Sequence, residues 1–222
     1  MSSRRIAQQL GDRTPTLTEV IQTAIESYLV ELNTSMPGEI VSYDASTQTA
    51  TVQPLFKRTF VNGIEPVVLD LPQITSVPVM FPRSADSFIH FPIAAGDPCL
   101  IIFAQRSLDN WAQSGGCVDP DDDRRHDLSD AIAIPGLSAS NNSFEVSDPE
   151  AVTVKNGDSE IILKDDGTIQ LRNNSEELVN IVSELIQLIE SATTNTFMGP
   201  QPFINVAAFS ALRTRLETLL GG

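Results

Sequence analysis

Apolar positions recur along this chain with three different rhythms, and the changes of rhythm mark its parts. Leu17, Val20, Ile21, Ala24, Ile25, Tyr28, Leu29 and Leu32 return at three- and four-residue spacing, which lines them along one face of a helix. Thr16 and Glu19 have the spacing of a capping box, Pro15 stands just before it, and Met36-Pro37-Gly38 closes the section. A stripe outside the following β domain must lie on something. Its own domain's flank and a neighbouring protein of an assembly are equally suitable.

From Glu39 to about Gly136 the rhythm shortens to that of strands. EIVSY and TATVQP flank the polar turn DASTQ, a hairpin pattern. VPVMFP, SFIHFPI and DPCLIIFAQ read as further strands, with Pro78, Pro82 and Pro92 close to their ends, where a missing N–H is tolerated. Short, unequal strands with such breaks suit a small barrel better than a flat sheet. SLDNW, ending at Trp111, reads as one helical turn. The acidic stretch DPDDDRRHD then leads into LSDAIAIPG.

From Phe144 to Arg172 three very short strands follow one another. Val152 and Val154 alternate with polar residues, as do Ile161 and Leu163, then Ile169 and Leu171; turns fall at Asn156-Gly157-Asp158 and Asp165-Asp166-Gly167. Such short strands do not bury an apolar face alone, so the expected cover is other copies of the chain in threefold packing. Beyond them the pattern is helical. Leu178, Val182, Leu185 and Ile189 step as a coiled-coil seam, with Asn174 or Ser175 as cap and Glu176 and Glu177 in the first turn. Two heptads are marginal alone and make sense as the extension of an oligomer. After TTNTFMGPQPF a second helix carries Phe209, Leu212, Leu216 and Leu219 on one stripe, expected to fold back over Ile181 and Leu188.

Charge narrows the partners. The chain has 29 acidic against 14 basic residues and a formal net charge of -15. That sign opposes a phosphate backbone and an anionic lipid surface, so no nucleic acid partner is expected. The N-terminus lacks the apolar core of a secretory signal, and no run reaches transmembrane length, so assembly in a cytoplasm is expected.

Candidate chemistry is sparse. Cys99 lies in an apolar run and reads as a small buried hydrophobe; Cys117, after two glycines, reads as a loop thiol. His90 reads as part of a barrel wall. His126 has Asp127 beside it and Asp130 four residues on, a superficial base-and-carboxylate pattern without a nucleophile. Asp119 to Asp123 lacks the ligand spacing and glycine of a calcium loop. No catalytic residue, metal site or cofactor is expected, and no phosphate-binding or dinucleotide fingerprint occurs.

Three stretches together carry a family likeness: Pro37 to Pro54, Val77 to Trp111, and Arg125 to Leu137. The FP-I-x-x-GD sequence, the S-x-D-x-W turn and HDLSDA follow in order. Over about half the chain they resemble the N-terminal OB domain of the phage membrane-puncturing central spike family, akin to baseplate assembly protein V. The resemblance implies a mainly β protein with terminal helices: an OB-type β-barrel, a short trimeric β-prism or β-helix, and C-terminal α-helices. The corresponding parts are an arm and amphipathic helix (1–36), the barrel (37–140), an intertwined shaft (141–173) and a helical end (174–222).

It further implies a non-enzymatic virion protein of the tail baseplate. Such a protein is a homotrimer that caps the hub and contacts the host envelope transiently. Val152, Val154, Ile161, Leu163, Ile169, Leu171, Leu178, Val182, Leu185 and Ile189 would form the trimer interface. The stripe from Leu17 to Leu32 would dock the hub, and Phe209, Leu212, Leu216 and Leu219 would present a platform for a separate tip protein or clamp the trimer. Many family members end in a His-x-His iron apex, and this chain has no His-x-His. A spike-associated cell-wall hydrolase and an OB nucleic-acid module are the alternatives.

Overall fold

The computed structural model describes residues 15–62, 65–120, 122–146 and 148–220. The chain divides into two compact units, Met1–Ser143 and Phe144–Gly222. Met1 to Thr14 of the N-terminal arm lie outside the described residues.

The first unit opens with helix α1, Leu17–Glu31, whose N-terminus closes the capping box between Thr16 and Glu19 in both directions. Five strands then make one sheet: β1 (Ser35–Asp44), β2 (Thr49–Pro54), β5 (Ile74–Pro78), β8 (Pro98–Phe103) and β9 (Ala131–Pro135). Their order is β5-β2-β1-β8-β9, with every neighbouring pair antiparallel. The sheet curls until its ends meet. Val79, just past β5, forms a parallel bridge with Ala133 of β9, and the Met80 N–H donates to the Ala133 carbonyl at 2.9 Å. Register shifts between Ile40 and Ser42 and between Ala50 and Val52 supply the bends that such curling needs. The result is OB-like.

Alternation explains the core. Ala50, Val52 and Pro54 point inward from β2, and Cys99, Ile101 and Phe103 from β8. All of these but Pro54 meet Ile40, Ile74, Val77, Val79, Phe81, Ala131 and Ala133 in one cluster. Each buried Ile, Val or Phe contributes about 1.5–3 kcal/mol. Met36-Pro37-Gly38, expected as a stop, lies within β1. A Cβ on Gly38 would stand 2.7 Å from Ile101 Cγ1, so only glycine lets β1 and β8 approach this closely.

Two stretches differ from expectation. SFIHFPI is not a barrel strand. Ser87–Phe88 forms β7 and pairs only with Arg83–Ser84, β6, and the chain then runs irregularly through Pro92. Between β2 and β5 an additional ribbon appears, β3 (Lys57–Asn62) with β4 (Glu65–Asp70). In the sequence the two strands are separated by a stretch that opens with the Asn-Gly pair 62–63, a hairpin signal that the expected strands passed over.

The second unit holds the sheet β10-β11-β12 (Val152–Asn156, Ser159–Leu163, Ile169–Arg172) and helices α3 (Leu178–Ser191) and α4 (Val206–Leu220). A hairpin of β13 (Thr193–Thr196) and β14 (Gly199–Pro202) joins the helices. Glu177 is the N-cap of α3 without a side-chain bond, and Asn173 instead accepts the Ser175 and Glu176 N–H groups. Helix α4 does fold back on α3, but the residues of α3 that are buried are Val179 and Ile186, while Ile181 and Leu188 stay exposed. Glu190 and Arg213 pair across the two helices at 2.8 Å.

Candidate functional site

The motif residues of the barrel build a polar latch. Asp130, fully buried at the end of a 3-10 turn, accepts hydrogen bonds from the Leu108 N–H at 2.8 Å and from Arg124 Nε at 2.7 Å. Arg124 also donates to Ser107 Oγ at 2.8 Å and to Asp109 at 2.6 Å. Helix α2 (Asp109–Ser114) starts at this point. Ser107 and Asp109 of S-x-D-x-W and Asp130 of HDLSDA thus tie the long β8–β9 loop to the barrel. FP-I-x-x-GD does similar work: Gly96 and Asp97 exchange backbone hydrogen bonds with Ile40, each 2.8 Å, and Asp97 accepts from the Ala94 N–H. These interactions position the loops on the sheet.

The histidine pattern dissolves in three dimensions. Asp127 accepts from the Ser129 N–H at 2.9 Å and hydroxyl at 2.7 Å rather than from His126, which lowers its pKa from the ordinary carboxylate value. His126 sits at a positive φ of 50° in a loop, its carbonyl accepting from Asn33 Nδ2. His90 is outside any strand and exposed, its ring 5.1 Å from that of Phe81. Cys99 is buried, and desolvation, with Glu39 adding to it, pushes its thiol up to about 11. Cys117 is exposed. In the acidic loop Asp122 pairs with Arg124 and Asp123 with Arg106. Among the described residues no three His, Cys, Asp or Glu side chains group as metal ligands, and no helix is long and apolar enough to cross a membrane.

What remains is apolar surface without cover. In the second unit, register places Val152 opposite Leu163 and Leu163 opposite Ile169; it likewise sets Val154 opposite Ile161 and Ile161 opposite Leu171. Six apolar side chains therefore form two rows on one face. Val152, Val154, Ile161 and Leu163 are exposed, while Ile169 and Leu171 are half-buried. The chain does cover the other face: Ile162 there is only 2 % exposed, and Glu160 is held between Lys155 and Arg172. Of the expected helical seam, Leu178 and Leu185 are exposed and Val182 and Ile189 half-buried. On α4, Phe209 and Leu216 are half-buried and Leu212 is exposed; the side chain of Leu219 lies outside the described ones.

In the first unit α1 buries no residue. Leu17, Val20, Ile21, Ala24, Ile25, Tyr28 and Leu29 are all exposed, and only Leu32 is half-buried. The flank of its own barrel is not their cover. The barrel in turn carries an open groove of about 1070 Å³ beside the β1–β2 turn, walled by Met80, Phe81, Phe88, Trp111 and Ile132. Phe88 is 69 % exposed. Arg83 and Asp86 stand at its edge, and among the described residues neither side chain has an ion pair or hydrogen bond. The sequence singled out Trp111 and His90 but not this groove, because its walls come from segments far apart in the chain.

No curated protein matches the chain. Residues 36–136, which carry the curled sheet, the latch and the groove, match the family described as Phage protein Gp138 N-terminal domain, so over that span the chain is similar to a phage protein domain.

Proposed function

We propose that this chain is the structural central spike of a contractile phage tail baseplate, a homotrimer that caps the hub and aids penetration of the cell envelope without catalysis. The observation that carries the reading is the two-row apolar face of β10, β11 and β12. A sheet whose opposite face is covered by its own chain, and whose free face consists of aligned Val, Ile and Leu, is built to be covered by identical neighbours. The barrel's family match supplies the phage context. The latch fits a load-bearing role, since it ties the longest loop of the barrel to its strands. The hub protein and a separate tip protein are the proposed further partners.

Light scattering on the purified protein tests the reading. A trimer mass across micromolar concentrations is expected, and a stable monomer overturns it. Replacing Ile161 and Leu163 with Asp should abolish assembly, because three copies would bring unpaired carboxylates into one dry layer.

A further inference from the structure

Two uncovered surfaces of the first unit differ in shape: the convex stripe of α1 and the concave groove of the barrel. In a cyclic trimer each chain meets its two neighbours through unlike patches, one facing each way round the ring. We propose that the α1 stripe of one copy seats in the barrel groove of the next, so that three helices and three grooves close the ring. The inference rests on the trimer reading, and it assigns to a neighbouring copy the stripe that the sequence directed at the hub.

Chemistry on both surfaces favours this occupant. An amphipathic helix laid in an apolar groove is a recurring mode of recognition, read as anchors at i, i+3, i+4 and i+7. Ile21, Ala24, Ile25 and Tyr28 have that spacing, and all four are exposed. The groove presents Met80, Phe88 and Trp111 with Arg83 at its edge, the residue types enriched in the cores of protein interfaces and in their energetic centres. The charges also complement. Helix α1 carries Glu19, Glu26 and Glu31 and neither Lys nor Arg. At 100° per residue Glu19 and Glu26 fall opposite the stripe, whereas Glu31, seven residues past Ala24, falls beside it. Seated in the groove, Glu31 is the acidic group available to Arg83. Asp86, on the turn of the same hairpin, then repels a helix entering in the reverse direction.

The chain end of the helix is also fixed. Just beyond α1, buried Asn33 donates to the His126 carbonyl at 2.9 Å and accepts from Arg58 at 3.2 Å. The helix therefore leaves its own barrel from a pinned point with its stripe uncovered, and a neighbour's groove supplies the missing surface.

Two differently tagged chains, co-expressed in a Cys117→Ser background, test the seating. One carries Tyr28→Cys and the other Phe88→Cys; Ile21→Cys, Ile25→Cys and Trp111→Cys extend the set of pairs. After mild oxidation, at least one pair should give a disulfide-linked species bearing both tags on a non-reducing gel. Arg83→Glu should lower its yield about tenfold, and adding Glu31→Arg should restore it. A trimer mass without a mixed-tag species from any pair overturns the seating and leaves the trimer standing. So does a single chain given both Tyr28→Cys and Phe88→Cys whose disulfide closes only within itself. A monomer mass overturns both.

Discussion

Asp130 shows how one side chain can hold a loop. Its carboxylate has no contact with water and is matched by the Leu108 N–H and two nitrogens of Arg124. Asp130→Ala should cost about 3–5 kcal/mol, because it leaves a guanidinium and a backbone donor without their partner. A lowered guanidinium midpoint with an unchanged slope would register the loss. The acidic surplus has a related local use. Asp44, Asp127 and Asp166 each accept a backbone N–H and a hydroxyl two residues on, from Ser46, Ser129 and Thr168. Those bonds lower all three pKa values, and the cations Lys155 and Arg172 lower that of Glu160. A carboxylate with a depressed folded pKa adds stability above its unfolded value, near 4, and loses it as pH falls through the folded one. Thermal melts should therefore be flat near neutrality and drop steeply below about pH 4. The Asp-x-Ser/Thr spacing was readable in the sequence. The Asp130 latch was not, since HDLSDA marks its position but not the arginine and the loop N–H that complete it.

Among the elements, turn chemistry was the legible part and the facing of helices was not. Asn156-Gly157 and Asp166-Gly167 lie at the turns they signalled, and the Thr16–Glu19 spacing became a closed capping box. Proline-punctuated apolar runs misled: SFIHFPI has strand composition, yet little of it pairs, and Pro92 has no N–H to offer a ladder. On α3 the periodicity defined an apolar band wider than a seam, and periodicity alone does not say which edge meets α4. The structure turns Val179 and Ile186 toward cover and leaves Leu178 and Leu185 exposed. Two classes of substitution should separate accordingly. Ile186→Ala, which empties a site only 5 % exposed, should destabilise the unit by about 2–5 kcal/mol at any protein concentration. Leu185→Asp should leave the helix pair intact and lower the trimer mass seen by sedimentation velocity.

For the whole molecule, the acidic net charge and the exposed apolar faces among the described residues suit the proposed assembly, in which copies would meet through apolar shape and charge would exclude wrong partners. If the chain assembles as proposed, its melting temperature should rise with protein concentration, as mass action requires, and Ile161→Asp with Leu163→Asp should remove that dependence. The barrel's closing bridge sets a different clock. Val79 meets Ala133 across the greater part of the barrel's sequence, and β1 must wait for β8 before its second edge is paired. Hairpins such as β1–β2 form in microseconds, whereas sheets joined by distant segments fold in milliseconds to seconds. Until the bridge closes, Val79 and Met80 have not found their partners and the groove they help wall does not exist. A ring closed through the proposed seating would therefore have to wait for each barrel to close, because before that there is no groove for a neighbour's helix to enter.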